Sequence, residues 1–327
     1  MLVKALVALV TVAAGIGAAL LLYFVLNLVA ERLPDRWEGR IKPYLFIFPA
    51  FLAIAVYLVY PMILTFINSF KDDFSRNWVG IANYRALFES SAFVKGTLFN
   101  TLLWILIVPA ACVLLGLMVA TLADRLGPRG EKTAKTIVFL PMAVALVGSA
   151  VIWHFIYDYE PAGSTQIGLL NGILSLFHKS PVTWLETNTL HLNSLLLMVI
   201  LIWGQVGFSM VLLSAAVKGV PVDTIEAARI DGASERQIFG RIVVPQIRGT
   251  IITVFVTVTI GVLKVFDVVY VTTDGNFNTD VLGNQFWTQI STYFNYGAAS
   301  AIVVIMLAAL IPIMWYQVRH FRAEDAA

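Results

Sequence analysis

The sequence predicts an all-α polytopic membrane protein with about seven transmembrane helices. Of its 327 residues, 59% are hydrophobic and only 13% are charged, whereas a soluble domain typically carries about 25% charged residues. A helix needs roughly 20 apolar residues to cross a bilayer. Seven such runs occur, at residues 5–30, 44–67, 98–122, 136–156, 194–217, 250–271 and 298–318. The net charge of +2 argues against nucleic acid as a partner.

Two features of the composition limit other interpretations. Cys112 is the single cysteine, so an internal disulfide is impossible and a thiolate metal site is not expected. The first apolar run resembles the core of a signal peptide, but it is longer than such a core, and Lys4 is the one charged residue in the segment before it. We therefore expect this run to be a retained helix.

Lysine and arginine are concentrated on one side of the predicted spans, and this distribution sets the orientation. The connections after the first, third and fifth runs, together with the C-terminal tail, hold fifteen of them, and the opposite side holds six. The asymmetry predicts an external N-terminus, a cytoplasmic C-terminus and a cytoplasmic loop at residues 218–249.

The connections carry no appended soluble domain. The longest, residues 157–193, is predicted to be external, and its segment 167–177 has apolar residues at helical spacing. This segment fits either a helix that lies on the membrane surface or re-enters the membrane, or a plain surface turn of helix. Prolines at 49, 61, 109 and 141 lie inside spans, which suggests packed and bent helices.

The cytoplasmic loop 218–249 has the local signals of two short helices. Pro221 fits a first helical position, where its missing N–H costs nothing, and Glu226 and Arg229 form an i,i+3 pair. Gly232 fits the residue after a helix end, where a left-handed backbone is needed. Ser234 followed by Gln237 is a capping box that opens a second helix, and Pro245 marks the end of that helix.

Several motifs at fixed spacing resemble one family of transporters. Glu226-Ala227-Ala228, Gly232 and Ile242-x-x-Pro245 resemble the EAA loop of binding-protein-dependent ABC importer permeases, with Val244 in place of the usual Leu. From about residue 44 to the C-terminus, further motifs resemble the carbohydrate (maltose-type) branch: Asn100-Thr101, Phe139-Leu-Pro141, Asp231-Gly-Ala233 and Phe266-Asp267-x-x-Tyr270.

The resemblance implies a type I ABC importer-like fold with a six-helix permease core. The run 5–30 would be an extra N-terminal span, which divides the chain into residues 1–43 and a permease domain at 44–327. In the family, the EAA loop inserts into a groove on a cytoplasmic ATPase. The ATPase-coupling residues implied in this chain are Glu226, Ala227, Ala228, Arg229, Asp231 and Gly232.

The implied assembly contains a second homologous permease subunit, a dimeric cytoplasmic ATPase and an extracytoplasmic sugar-binding protein in a bacterial inner membrane. No cofactor is expected in this chain, because ATP and Mg would be bound by the partner ATPase. The nearest phosphate-loop lookalike, at residues 127–133, lacks the adjacent Gly-Lys pair and follows no strand.

Two other function classes fit the sequence less well. An intramembrane enzyme is disfavoured, because neither H-E-x-x-H nor G-x-S-x-G occurs and the histidines are scattered. An ATP-independent channel would require a ring of charges or carbonyls, which the sequence does not suggest. We therefore expect a non-catalytic transporter subunit.

Seven polar and aromatic residues in the fifth and sixth spans are candidates for the substrate path. Lys264 and Asp267, three positions apart, are predicted to share one face of the sixth span, either as a structural ion pair or as part of an interior cavity. Sugars bind through aromatic faces and through amides or carboxylates. The full set of candidates is Asp267, Gln205, Phe266, Tyr270, Trp203, Phe208 and Lys264.

The substrate implied by the resemblance is a sugar, such as an oligosaccharide or an α-glucoside. The stretches 203–209 and 212–221 are most similar to the α-glucoside permeases. Another polar solute, such as glycerol phosphate or a polyol, is the alternative within the same superfamily.

Overall fold

The computed structural model describes residues 2–32 and 35–324. The chain divides into two compact units, Met1–Ile67 and Asn68–Ala327, which we treat separately. The sequence motifs instead suggest a boundary at residue 43, and that assignment stays a prediction. All functional motifs lie in the second unit.

The first unit consists of helical spans with largely exposed apolar surfaces. Helix α1 (Leu2–Glu31) and helix α2 (Asp35–Ile54) pack through the rings of Tyr23 and Phe46, whose centroids are 5.6 Å apart. A π-helical turn, Ala55–Val59, separates α2 from α3 (Tyr60–Asn68). Pro61 lacks an N–H, so the turn before it cannot keep regular α-helical hydrogen bonds, and a π turn absorbs the defect.

The second unit contains thirteen further α-helices within the described residues. They are α4 (Ala82–Glu89), α5 (Phe99–Ala123), α6 (Pro128–Phe139), α7 (Leu146–Ile156), α8 (Leu169–Leu176), α9 (Leu192–Lys218), α10 (Val222–Ile230), α11 (Glu235–Ile238), α12 (Val244–Gln246), α13 (Arg248–Leu263), α14 (Asp267–Thr272), α15 (Leu282–Ser291) and α16 (Tyr296–Glu324). The predicted helix in segment 167–177 is confirmed as α8.

The count of about seven spans is confirmed within the described residues. Five helical stretches are long and apolar enough to cross a membrane: Leu6–Leu28, Gly39–Asn68, Phe93–Ala123, Thr189–Lys218 and Tyr296–Arg319. Two bent pairs complete the seven if each is one span, Pro128–Ala143 with Leu146–Ile156 at 101° and Glu235–Gln246 with Arg248–Leu263 at 68°.

The sixth predicted span differs from the sequence prediction. The apolar run predicts a continuous helix over 250–271, but α13 ends at Leu263 and α14 begins at Asp267. The backbone at Phe266 is non-helical, with φ −140° and ψ −54°. Gly283 of α15 packs against the carbonyl of Val265 so closely that a Cβ there would lie 2.3 Å from the oxygen. A neighbouring helix therefore packs directly on the break.

The core of the second unit lies between α5, α9 and α13. Trp104, Leu197 and Val254 are fully buried in one apolar cluster. Glycine permits the closest helix approach, because a Cβ on Gly116 of α5 would lie 2.8 Å from the Cβ of Ser209 on α9. These tightly packed helices position the loop at residues 218–249 and the candidate path residues.

Candidate functional site

The loop at residues 218–249 folds into two helices joined by a left-handed glycine, as the sequence predicts. Gly232 has φ +81°. Its N–H donates to the Arg229 carbonyl, and the N–H of Ala233 donates to the Ala228 carbonyl, both at 3.0 Å. These two bonds form a Schellman motif at the end of α10. Pro221 precedes the first residue of α10, one position earlier than predicted.

The start of α11 is fixed by the predicted capping box. The N–H of Gln237 donates to Ser234 Oγ, and the N–H of Ser234 donates to Gln237 Oε1. The second helix continues through a π-helical turn, Phe239–Val243, into α12, which ends one residue after Pro245. Local backbone chemistry therefore determines the angle between α10 and α11.

The ion pair in this loop is not the predicted one. The i,i+3 spacing predicts that Arg229 pairs with Glu226, but its Nε donates to Glu235 Oε1 at 2.8 Å. The Schellman turn folds α11 back, so Glu235 comes within reach across the turn. This hydrogen bond raises the pKa of the Arg229 guanidinium. The side chain of Glu226 is exposed.

One face of α10 is attached to the membrane helices and the other is free. Ile225 and Ala228 pack against a buried cluster that contains Val220, Ile238 and Val243. The opposite face exposes five of the predicted coupling residues, namely Glu226, Ala227, Arg229, Asp231 and Gly232. The side chain of Ile230 is 86% exposed on this face.

An ion network lies behind the loop, where α9 ends. Lys135 Nζ on α6 donates to Asp124 at 3.0 Å, to Glu131 at 2.6 Å and to Ser214 at 2.5 Å. Lys218, the last residue of α9, pairs with Glu131 and lies 3.6 Å from Asp124. The network joins α5, α6 and α9 at the base of the loop.

Four of the seven predicted path residues line one cavity. A cavity of about 280 Å³ lies between α9, α13 and the bend that follows α6. Gln205, Phe208, Lys264 and Asp267 line it. Because the helix breaks between Lys264 and Asp267, the two residues do not share a continuous helical face, and no ion pair joins them within the described residues. We call this the central cavity.

The predicted aromatic pair lies on the far side of the helix break. The rings of Phe266 and Tyr270 are stacked with centroids 4.9 Å apart. Trp287 of α15, which the sequence patterns do not single out, adds a third ring 5.5 Å from Phe266. Phe266, Trp287 and Lys264 line a second, mostly apolar cavity of about 400 Å³. No local sequence pattern indicates that Trp287 contacts Phe266, which lies about twenty positions earlier in the chain.

Trp203 lies apart from the other candidates. Its ring makes an edge contact with Trp153, at a centroid distance of 5.8 Å. Trp153 also contacts Tyr157 at 5.4 Å, and both belong to the large core cluster. Trp203 does not line the central cavity. Its contacts are those of helix packing.

A further set of polar residues holds the segment between α14 and α15. Asn100 at the start of α5 donates to the carbonyls of Thr279 and Asp280, at 2.7 and 3.0 Å. Thr97 donates to the Asp280 carboxylate at 2.9 Å, and Asn193 donates to the Phe277 carbonyl at 2.8 Å. The sequence marks Asn100 by resemblance alone. Its partners lie about 180 positions away and could not be read locally.

The bundle of broken membrane helices with its two-helix loop has the fold of an ABC transporter permease. The fold matches a crystal structure of a bacterial ABC transporter involved in the import of the acidic polysaccharide alginate, with a TM-score of 0.72, 24% identity, and coverage of 88% of this chain and 99% of that chain. A second alginate transporter structure, in complex with a pentasaccharide-bound periplasmic protein, gives a TM-score of 0.71 at 23% identity, covering 88% and 96%.

Family membership follows from sequence comparison. The chain belongs to the binding-protein-dependent transport system inner membrane component family, whose model matches residues 112–323. It is 45% identical to the osmoprotective compounds uptake permease protein GgtC of Synechocystis sp., over 86% of this chain and 99% of that protein. It is also 45% identical to the alpha-glucoside transport system permease protein AglF of Rhizobium meliloti, over 89% and 85%.

Proposed function

We propose that this permease forms half of the translocation path for a sugar, with α-glucosides as the first class to test. The central cavity carries this proposal, because it gathers an amide, a carboxylate and an aromatic ring from α9 and the broken sixth span. Amides and carboxylates bind hydroxyl groups, and rings pack on sugar C–H surfaces. The name of the alpha-glucoside permease AglF supports the same class of solute.

The proposed assembly pairs this chain with a second homologous permease and a cytoplasmic ATPase dimer that binds ATP and Mg. An extracytoplasmic sugar-binding protein would deliver the substrate, in line with the periplasmic protein in the alginate complex. The exposed face of α10 would contact the ATPase. Hydrolysis would then drive rocking of the two permeases about a site near the middle of the membrane.

The uptake test uses the complete transporter in proteoliposomes. Labelled maltose, trehalose and sucrose are compared with glycerol and glycerol 3-phosphate, with and without ATP. We expect ATP-dependent uptake of at least one α-glucoside. Uptake of glycerol or glycerol 3-phosphate alone would reject the sugar assignment, and uptake without ATP would indicate a channel.

Two variants test the central cavity. Asp267→Asn and Gln205→Leu should lower uptake while leaving the ATPase bound, whereas Gln317→Leu, on α16 and outside this cavity, should transport normally. The double variant Lys264→Met with Asp267→Leu separates path from packing, because it removes both charges from the cavity wall and replaces them with apolar side chains. We expect the double variant to assemble but to transport poorly. Full uptake by it would remove Asp267 from the path.

The orientation is tested separately. The fifteen-to-six distribution of Lys and Arg supports an external N-terminus and a cytoplasmic C-terminus in the inner membrane. Reporter fusions after Asn193 and after Lys218 flank α9 and should report opposite sides, with the second in the cytoplasm. Reports from the same side would contradict the span assignment.

A further inference from the structure

The segment between α14 and α15 has a strained backbone that is held rigidly. Asp274, Phe277 and Asn278 have φ of +51°, +55° and +62°, and Gly275 between them has φ +77°. Such conformations are unfavourable for non-glycine residues and persist only where the surroundings enforce them. The hydrogen bonds from Asn100, Thr97 and Asn193 supply that enforcement. We call residues 273–281 the clamped loop.

The clamped loop forms one wall of a cavity of about 520 Å³ that is distinct from the central cavity. Its other walls come from α4, the π-helical segment Phe93–Leu98 that precedes α5, α15 and the start of α16. The charge distribution predicts this side of the protein to be external. The volume lies within the range of small-molecule sites, about 300–1,000 Å³.

Free amide groups give this external cavity its chemical character. Asn278, Gln285 and Gln289 line it, and the side chains of these three make no hydrogen bond to any other described residue. Gln285 and Gln289 are one turn apart on α15, so their amides lie on the same helical face. Three amides supply both donors and acceptors in pairs, which is what vicinal hydroxyl groups require.

The charge of the cavity narrows the ligand class further. Asp280 also lines the cavity, and no Lys, Arg or His is among its lining residues. Burial raises the pKa of the Asp280 carboxyl. An anionic ligand would meet a carboxylate and no cation, so the lining disfavours an anionic ligand, whereas the free amides suit a neutral ligand that carries hydroxyl groups. Phe93 and Leu87, both buried, add apolar surface on one side.

The position of α15 connects this cavity to the proposed path. Gln285 and Gln289 face the external cavity, while Phe286 and Trp287 line the apolar cavity that also contains Phe266. Gly283 of the same helix packs against the break in the sixth span. A ligand held by the amides would therefore lie one helix away from the aromatic residues next to the helix break.

We propose that the external cavity is a second sugar-binding subsite, in which Asn278, Gln285 and Gln289 bind the hydroxyl groups of a neutral sugar before it enters the central cavity. The subsite rests on the proposed sugar transport but is a separate claim, because transport through the central cavity does not require it.

Cysteine labelling tests the subsite directly, because the single native Cys112 is fully buried. Asn278→Cys places a thiol on the cavity wall, and Ser164→Cys is a matched control on an exposed loop elsewhere. The complete transporter is placed in nanodiscs, which are open on both sides, and is labelled with a soluble maleimide with or without maltose, trehalose or sucrose. A sugar that the wild-type protein transports should slow labelling of Asn278→Cys severalfold and leave Ser164→Cys unchanged.

Removal of the amides should abolish this protection. Gln285→Leu with Gln289→Leu, added to Asn278→Cys, is expected to label at the same rate with and without sugar. If that double variant fails to assemble, the single variants Gln285→Met and Gln289→Met are used in its place. Retained protection in the amide variants would overturn the subsite.

The outcomes distinguish the subsite from the proposed function. Sugar uptake by the wild-type protein without any protection of Asn278→Cys overturns the subsite and leaves the transport proposal intact. Absence of sugar uptake rejects the transport proposal itself. Protection by the sugar-free binding protein, but not by sugar, would identify a protein-docking surface and would also overturn the subsite.

Discussion

Lys218, the last residue of α9, is paired with Glu131 of α6, 87 positions earlier in the chain. Lys218 lies two residues before Val220, which belongs to the buried cluster against which α10 packs. Lys135 shares Glu131 and also bonds Asp124 and Ser214. The network therefore fastens α6 to α9 directly behind the surface that is proposed to meet the ATPase.

The first prediction ranks the two lysines of this network. Lys135 is 20% exposed and has three partners, whereas Lys218 is 52% exposed. Removing the more buried cation leaves Asp124 and Glu131 less compensated where solvent screening is weak. Lys135→Met should therefore lower the thermal unfolding midpoint of the purified complex more than Lys218→Met. Lys132→Met, an exposed neighbour on α6, is the control. An equal loss in both network variants would contradict the ranking.

The second prediction concerns Gly232, which connects the two helices of the loop at residues 218–249. A Cβ added to Gly232 or to Gly240 would meet open space, but only Gly232 has a left-handed backbone. Gly232→Val should thus cost about 1–3 kcal/mol in local backbone strain, re-aim α10 against α11 and uncouple uptake from ATP hydrolysis. Gly240→Val, in the same loop, should retain coupling. Gly232→Asn should fall between them, because Asn visits the left-handed region.

Uptake and ATPase rates in proteoliposomes, measured with membrane levels of each variant, check this prediction. The expected pattern is normal insertion with ATP hydrolysis that no longer tracks uptake. Normal uptake by Gly232→Val would argue strongly against a coupling role for the loop.

Local sequence patterns predict the structure of the loop at residues 218–249 well, because that structure depends on interactions between residues a few positions apart. The left-handed Gly232 and the capping box at Ser234 are properties of short segments, and both are confirmed. The predicted pairing of Arg229 with Glu226 is wrong, because the observed partner lies beyond the end of the helix. Glu235 reaches Arg229 only after the Schellman turn folds α11 back, and an i,i+3 rule for a single helix does not include that turn.

The sixth span shows what hydropathy does not report. An apolar run indicates that a segment suits the bilayer, but not that its helix is continuous. The break at residues 264–266 packs against Gly283 of α15, a residue that the apolar run does not include. The same distance explains why Trp287, the clamped loop and its hydrogen bonds from α5 and α9 could not be predicted. Among the predicted path residues, Gln205 and Asp267 line the central cavity and Trp203 does not.

The third prediction tests the clamped loop through Asn100. Its side chain is fully buried, and its two donated bonds are the ones that satisfy the carbonyls of Thr279 and Asp280. Asn100→Leu keeps the branching and the number of side-chain heavy atoms but leaves these carbonyls unpaired, which should cost about 1–3 kcal/mol. Ser194→Ala is the control, because Ser194 Oγ is buried without a hydrogen-bond partner among the described residues. The thermal midpoint of the complex and the rate of proteolysis in the loop should both change for Asn100→Leu only.

The last prediction is a pH dependence that arises from Asp280. Burial raises the pKa of its carboxyl above the ordinary value of 3.8, against the opposing effect of hydrogen bonds from Asn284 and Thr97. The folded protein therefore binds this proton more tightly than the unfolded chain does. The resulting stabilisation is fully present below pH 3.8 and is lost as the pH rises through the folded-state pKa.

Asp280→Asn removes this titration, so the difference in thermal midpoint between the variant and the wild type isolates it from all other groups. The variant's midpoint relative to the wild type should be highest near neutral pH and should fall as the pH is lowered toward 4. Asp274→Asn is the matched control on the same loop. Asp274 is exposed, its left-handed backbone suits Asn equally well, and its charge adds to the raised pKa of Asp280 only as a minor cause. A midpoint difference for Asp280→Asn that is constant with pH, or that grows on acidification, would show that burial does not control this carboxyl.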